Sequence, residues 1–254
     1  SRQTNFFRMT TDLNGKSSLI LGGTSNLGLA IGKALKNAGA DVTLAGRDES
    51  KLSHCSRQLG TDPSTLAFDL QSKSQVHDAL SSLTMLPDIV VHAQGGNLGR
   101  HEATAEIEDW EEVFQLNFFS IVQINRILLQ RYTESDKTAT IIHISSSSAV
   151  HGKGAAPYGA AKAALNHYVR KLGEEFAPKG FNLTGIMPAP IEGTDNNWAK
   201  AKASNPERHE EVKNLQTLKR FTTPEEIAQA CLFLCSPSGI LFSGSVLSAD
   251  ASIR

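Results

Sequence analysis

The chain has 254 residues, enough to bury one substantial α/β core. Its 25 Lys and Arg residues balance 26 Asp and Glu, a net charge of −1 that argues against a nucleic-acid or other polyanion surface. The cysteines Cys55, Cys231 and Cys235 form no CxxC and have no histidine partner nearby, which argues against a metal and fits a reducing cytoplasmic setting; no apolar run reaches the ~18 residues that span a membrane.

Residues 1–12 are polar and irregular, with no apolar core of a secretory leader, and read as a flexible arm before a single domain over 13–254. Ser17 to Leu21 is a short buried strand. It runs into GGTSNLGLAIGKALKNAGA, where Gly22 and Gly28 stand six apart and Leu29, Ile31, Ala34 and Leu35 mark the apolar face of a helix. Glycines at such a join allow a tight turn and let backbone N–H groups approach a pyrophosphate at the helix start. Thr24, Ser25, Asn26 and Leu27 complete the turn, and Asn26 tolerates positive φ better than most residues.

Asp41 to Ala45 is a second strand that ends in Gly46-Arg47-Asp48. An acidic side chain at this point holds a ribose 2′-hydroxyl, whereas an Arg accommodates a 2′-phosphate. Arg47 therefore favours a phosphorylated dinucleotide, while Asp48 fits best as the N-cap of a helix over Glu49 to Leu59. Leu66 to Leu70 is a third strand, closed by Asp69 and Leu70. An amphipathic helix over Val76 to Leu83 follows, then a fourth strand, Asp88 to His92, that enters Ala93-Gln94-Gly95-Gly96. His92 at a strand end reads as a structural residue.

Trp110 to Tyr132 is one long helical pattern. Asn117 interrupts its apolar face, and a buried amide must find partners. The fifth strand, Ile141 to Ile144, leads into four serines, a loop with Gly152 and Gly154, and an Ala-rich helix from Tyr158. Tyr158 and Lys162 are four apart and share one helix face. An ammonium beside a phenol favours the phenolate and lowers a pKa of about 10, which makes Tyr158 a candidate general acid or base.

Asn182 to Met187 is the sixth strand, followed by Pro188-Ala189-Pro190-Ile191-Glu192-Gly193-Thr194. Residues 195–220 are polar and weakly periodic, and read as a mobile lid over the substrate or, failing that, a surface helix pair. A helix starts at Pro224 with acids in its first turn, and Ser243 to Leu247 supplies a seventh strand. The alternation of strands and helices argues one doubly wound parallel sheet with its ligand at the carboxyl ends of the strands.

The glycine turn, Asn117, the serines and the Tyr158-x-x-x-Lys162 pair together resemble the short-chain dehydrogenase/reductase family, and the resemblance covers nearly the whole chain. It implies a single Rossmann-type domain with a seven-stranded parallel sheet and helices on both faces. It implies an NADP(H)-dependent oxidoreductase that interconverts a carbonyl and a secondary alcohol on a 3-oxoacyl, sugar, polyol or ring-ketone substrate. The alternative is a catalytically silent NADP(H)-binding sensor or scaffold. Tyr158 is then the general acid/base, Lys162 lowers its pKa and holds the nicotinamide ribose, and Asn117 helps hold a water in a proton relay. The strand register makes Ser146 the catalytic serine, with Ser145 second by the count back from Tyr158. By the same resemblance Asp69 and Leu70 lie against adenine, and Ala93 and Gly95 against the cofactor ribose. Pro188, Ile191 and Thr194 cradle the carboxamide and reach the phosphate. The chain departs from the family pattern at Leu21, Asn26, His92-Ala93-Gln94 and Ala189. A homotetramer or homodimer is expected, built on the Trp110–Tyr132 and Tyr158–Phe176 helices and the last strand.

Overall fold

The computed structural model describes residues 11–60, 64–194 and 196–251. The expected arm lies almost wholly outside them. The first apolar run forms β1 (Ser17–Leu21), and Ser25 caps α1 (Asn26–Asn37) by accepting from the Gly28 N–H at 3.0 Å. β2 (Asp41–Gly46) leads into α2 (Glu49–Gln58), whose N-cap is Asp48, accepting from the Lys51 N–H at 2.9 Å.

β3 is Ser64–Ala67, not Leu66 to Leu70. Its register on β2 pairs Thr43 with Ser64 and Gly46 with Ala67, and a last bond from the Phe68 N–H to the Gly46 carbonyl at 2.9 Å closes the pairing where β2 ends. Asp69 and Leu70 therefore sit in the following loop, before α3 (Lys73–Ser81) and β4 (Ile89–His92).

The long helical pattern is broken in two. α4 (Ile107–Phe114) and α5 (Ser120–Glu134) are joined by a five-residue π-turn, Gln115–Phe119, around Asn117. β5 (Thr140–Ile144) and α6 (Ala156–Phe176) follow, then β6 (Asn182–Pro188). The polar segment folds as the helix pair: α7 (Asn197–Ser204) and α8 (Pro206–Leu215), capped by Asn196 and Asn205. Trp198 and His209 pack their rings against buried Phe221 at 5.1 and 4.8 Å, which anchors both helices. α9 (Pro224–Leu234) opens with a capping box between Thr223 and Glu226. β7 is Val246–Ala249, three residues later than the sequence suggests, because Gly244 and Ser245 turn the chain into the sheet.

The strands form one parallel sheet in the order β3-β2-β1-β4-β5-β6-β7. One face packs on α1, α2 and α9 through residues such as Ile31, Leu35, Leu52 and Ile227; the other packs on α3, α5 and α6 through Val76, Leu80, Ile124 and Leu172. The order reverses between β1 and β4, and a crevice opens there at the strand ends.

Candidate active site

Two close approaches shape the crevice. Gly22 has φ +77°, and a Cβ there would stand 2.7 Å from the Gln94 nitrogen. A Cβ on Gly95, at φ +154°, would meet Asn117 Oδ1 at 2.8 Å and Lys162 Nζ at 3.2 Å. Both positions keep backbone exposed where side chains would fill the cleft. The turn places the first N–H groups of α1 at one end of the cleft, a cradle that fits a pyrophosphate.

The predicted dinucleotide contacts fall along this cleft unevenly. Ser25 donates to the Gly22 carbonyl at 2.9 Å, so its hydroxyl is committed to the turn. Thr24 lies 3.6 Å from where a Cβ of Gly46 would be, next to exposed Arg47 at the end of β2. Asp48 is occupied as a helix cap, and exposed Arg47 beside it puts positive charge at that edge. Asn26 begins α1, and its amide Nδ2 donates to Thr194 Oγ1 at 3.2 Å, which ties the glycine turn to the loop after β6. Leu27 turns inward onto the core beneath α1. The Asp69 carboxylate accepts from the Gln71 N–H at 3.0 Å, and Leu70 is buried in the core, so neither side chain extends freely into the cleft. Ala93 donates its N–H to Leu21. Pro188 ends β6; Ile191 bridges to Thr222, and its carbonyl accepts from Asn196.

The reactive end holds Asn117, Ser146, Tyr158 and Lys162. Asn117 clamps the Gly96 peptide from both sides: Oδ1 accepts from the Gly96 N–H at 3.0 Å, and Nδ2 donates to the Gly96 carbonyl at 2.8 Å. The same Nδ2 donates to the Val113 carbonyl at 2.8 Å, and this side-chain capture accompanies the π-turn. The Ser146 hydroxyl faces Tyr158 closely enough to favour its phenolate, and it accepts from the Ser148 N–H at 3.2 Å. Ser145 faces the other way, buried against Asn166 and the Lys162 carbonyl. Of the two serines, Ser146 meets the tyrosine.

The electrostatics differ from the sequence expectation at one point. Burial pushes the Tyr158 phenol up, and the Ser146 hydroxyl only partly offsets it. The Lys162 ammonium bonds the Ile144 carbonyl at 2.8 Å and stands 5.7 Å from the Tyr158 ring centre. Burial also brings Lys162 down to about 7, so near neutrality it carries only part of a charge.

Sequence reasoning passed over a buried polar cluster behind this end, formed by His92, Gln94, Asn125 and His143. The available signal was a histidine in each of two apolar strands, His92 and His143, which the β4–β5 register sets side by side. Near the mouth, Asn197 of α7 donates to Asn97 Oδ1 at 3.0 Å. A cavity of about 410 Å³ opens beside Asn26 and Thr194, walled by Trp198, His209 and Phe221; none of the four reactive-end residues lines it. Among the described residues no cluster of His, Cys, Asp or Glu is arranged to hold a metal, and no helix is long and apolar enough to cross a membrane.

The chain matches known proteins along most of its length. A family model described as enoyl-(acyl carrier protein) reductase matches residues 22–252. An uncharacterised oxidoreductase of Mycobacterium tuberculosis is 30% identical over 252 residues, which span 95% of this chain and 93% of that protein. The 3-oxoacyl-acyl-carrier-protein reductase of rhamnolipid biosynthesis in Pseudomonas aeruginosa is 28% identical, over 95% of this chain and 97% of that one. Among solved structures, L-sorbose reductase from Gluconobacter frateurii, complexed with NADPH and L-sorbose, superposes with a TM-score of 0.86 at 26% identity. That alignment covers 96% of this chain and 98% of the other.

Proposed function

The chain belongs to the short-chain dehydrogenase/reductase family, and from that premise we propose that it is an NADP(H)-dependent oxidoreductase that interconverts a carbonyl and a secondary alcohol. The observation that carries the reading is the Ser146–Tyr158 hydroxyl pair beside buried Lys162, at the end of a glycine-turned dinucleotide cleft. The cradle at Gly22 and α1 fits a pyrophosphate, and Arg47 supplies the positive charge that a 2′-phosphate needs. The solved L-sorbose reductase complex with NADPH supports the same cofactor.

NADPH, when bound in this cleft, would supply a hydride for the substrate carbon. The protein's part is to hold and move a proton at the substrate oxygen. A phenol raised by burial stays protonated at neutral pH, so Tyr158 is set to donate its proton as negative charge develops on that oxygen. Ser146 hydrogen-bonds the same oxygen and orients it. Lys162 presents its remaining N–H groups to the nicotinamide ribose, and Asn117 holds the Gly96 peptide that borders the reacting centre. Helices α7 and α8 cover the substrate, tethered by Asn26–Thr194 and Asn97–Asn197. The substrate is a 3-oxoacyl, sugar, polyol or ring-ketone compound; the named relatives include a 3-oxoacyl reductase and a sorbose reductase.

Tyr158→Phe tests the assignment. It should keep NADPH affinity and lose at least ~10²-fold in turnover, the low end for a positioned acid–base group. Unchanged turnover would sink it. A fluorescence titration of the wild type should give NADPH binding at least ~10-fold tighter than NADH. Equal affinities would overturn the role of Arg47, and NADPH binding with no turnover on any carbonyl would favour the silent scaffold.

A further inference from the structure

The buried cluster behind the cleft has a direction that one backbone atom imposes. His143 Nδ1 lies 3.1 Å from the Thr184 carbonyl, which can only accept, so the proton of His143 is on Nδ1. Neutral His143 then offers Nε2 as an acceptor, and Asn125 Nδ2 donates to it at 2.8 Å. This turns Asn125 Oδ1 toward His92 Nε2 at 2.9 Å, which must donate. His92 Nδ1 is left as an acceptor, filled by Gln94 Nε2 at 3.2 Å. A single carbonyl thus sets two imidazole tautomers and two amide orientations. The array ends at Gln94 Oε1, buried and without a hydrogen-bond partner among the described residues.

The rings of His92 and His143 stack at 5.0 Å and 9°, so the sheet and α5 hold the array rigidly. The other ionisable groups that bear on it are Lys162, which disfavours a proton on either ring, and Tyr168, which lies next to Asn125. The array meets the cleft through the backbone of Gln94. The Gln94 backbone underlies the Gly22 turn, and its neighbour Gly95 abuts Asn117 and Lys162.

We infer that His92 and Gln94 are positioning residues: the array from Thr184 to Gln94 fixes the Ala93–Gly96 loop between the glycine turn and the Asn117–Lys162 end, and so sets cofactor affinity. The inference rests on the cofactor reading above. It gives the histidine and glutamine that depart from the family pattern a joint role, since each supplies the donor or acceptor that the next one requires.

Long-range proton–nitrogen NMR of the full chain at pH 7, with ring signals assigned from His92 and His143 variants, should find His143 protonated on Nδ1 alone and His92 on Nε2 alone. The opposite tautomer on either ring, or a doubly protonated ring, overturns the array. Gln94→Ala removes the free end and leaves His92 Nδ1 without its donor, so the melting temperature should fall modestly. NADPH binding should weaken about tenfold. A lowered melting temperature with unchanged NADPH affinity would mean packing alone and would overturn the inference. Failure of the wild type to bind NADPH would overturn the cofactor reading and this inference together; unchanged affinity in Gln94→Ala would overturn this one alone.

Discussion

Burial strips Lys162 of most of its hydration, and its ammonium bonds only a neutral group on this side, the Ile144 carbonyl. The folded protein therefore holds this lysine at about 7, against an ordinary value of 10.5. Below about 7 the native state must carry a buried charge at a cost. Between about 7 and 10.5 the unfolded chain binds the proton and the native chain does not, so stability rises with pH across that window. Lys162→Met removes this dependence. Its melting temperature relative to wild type should be highest near pH 6 and should fall steadily as pH rises toward 10. A difference that stays constant with pH would show that Lys162 is not held neutral. The same substitution should abolish turnover, and the two results together would separate the electrostatic cost of the lysine from its use. The buried histidines act in the same sense at lower pH. His143 is held at about 4 and His92 well below its ordinary value, so they add stability as pH rises from about 4 to 6.5.

At the scale of elements, the join between α4 and α5 matters most for the site. The π-turn lets the Asn117 amide reach Val113 within the helix and Gly96 across the cleft. Asn117→Leu would leave the Gly96 N–H and carbonyl unpaired, so it should cost about 1–3 kcal/mol for each group left unsatisfied, read from the urea midpoint. NADPH affinity should fall with it, because the loop that follows β4 loses its clamp. A variant as stable as wild type would show that the Gly96 peptide finds other partners. The 195–220 segment teaches a complementary lesson. Its weak periodicity hid two helices because they are held by caps at Asn196 and Asn205 and by one aromatic anchor, Phe221, with no continuous apolar stripe.

For the whole molecule, a line of rings runs from Trp110 through Phe114 to Phe118 and Phe119, and on to Tyr168. Phe119 is 49% exposed and Ile107 64%, on the helices expected to pair between subunits. With a net charge of −1, little long-range repulsion opposes self-association. Phe119→Glu should shift the protein toward smaller species in sedimentation velocity while leaving the fold intact by circular dichroism. An unchanged sedimentation coefficient would place the interface elsewhere or show that the chain is monomeric.

Much of this was present in the sequence because it is local. Strand runs such as Ser17 to Leu21 and Asn182 to Met187, the Gly22–Gly28 turn, the Asp48 cap and the Tyr158–Lys162 spacing depend on neighbours within one turn or strand. Backbone geometry and side-chain period decide these without reference to the rest of the chain. Where the sequence reading failed, distant parts decided. β3 begins and ends where β2 offers partners, so its bounds follow from a register that no local pattern encodes. The strand register already favoured Ser146 over Ser145, but burying the Ser145 hydroxyl against Asn166 and leaving Ser146 toward Tyr158 was decided by the tertiary structure. The Tyr158 phenol is raised because the fold dehydrates it, and the Lys162 ammonium bonds the Ile144 carbonyl; sequence spacing shows proximity but neither burial nor competing partners. His92 and His143 became one array because parallel pairing sets them level and α5 brings Asn125 between them. The sequence by itself determined the elements and the chemical groups, since those are matters of short-range geometry and residue type. The tertiary structure alone decided how those groups are solvated, paired and oriented, because burial and hydrogen-bond direction are set by residues far away in the chain.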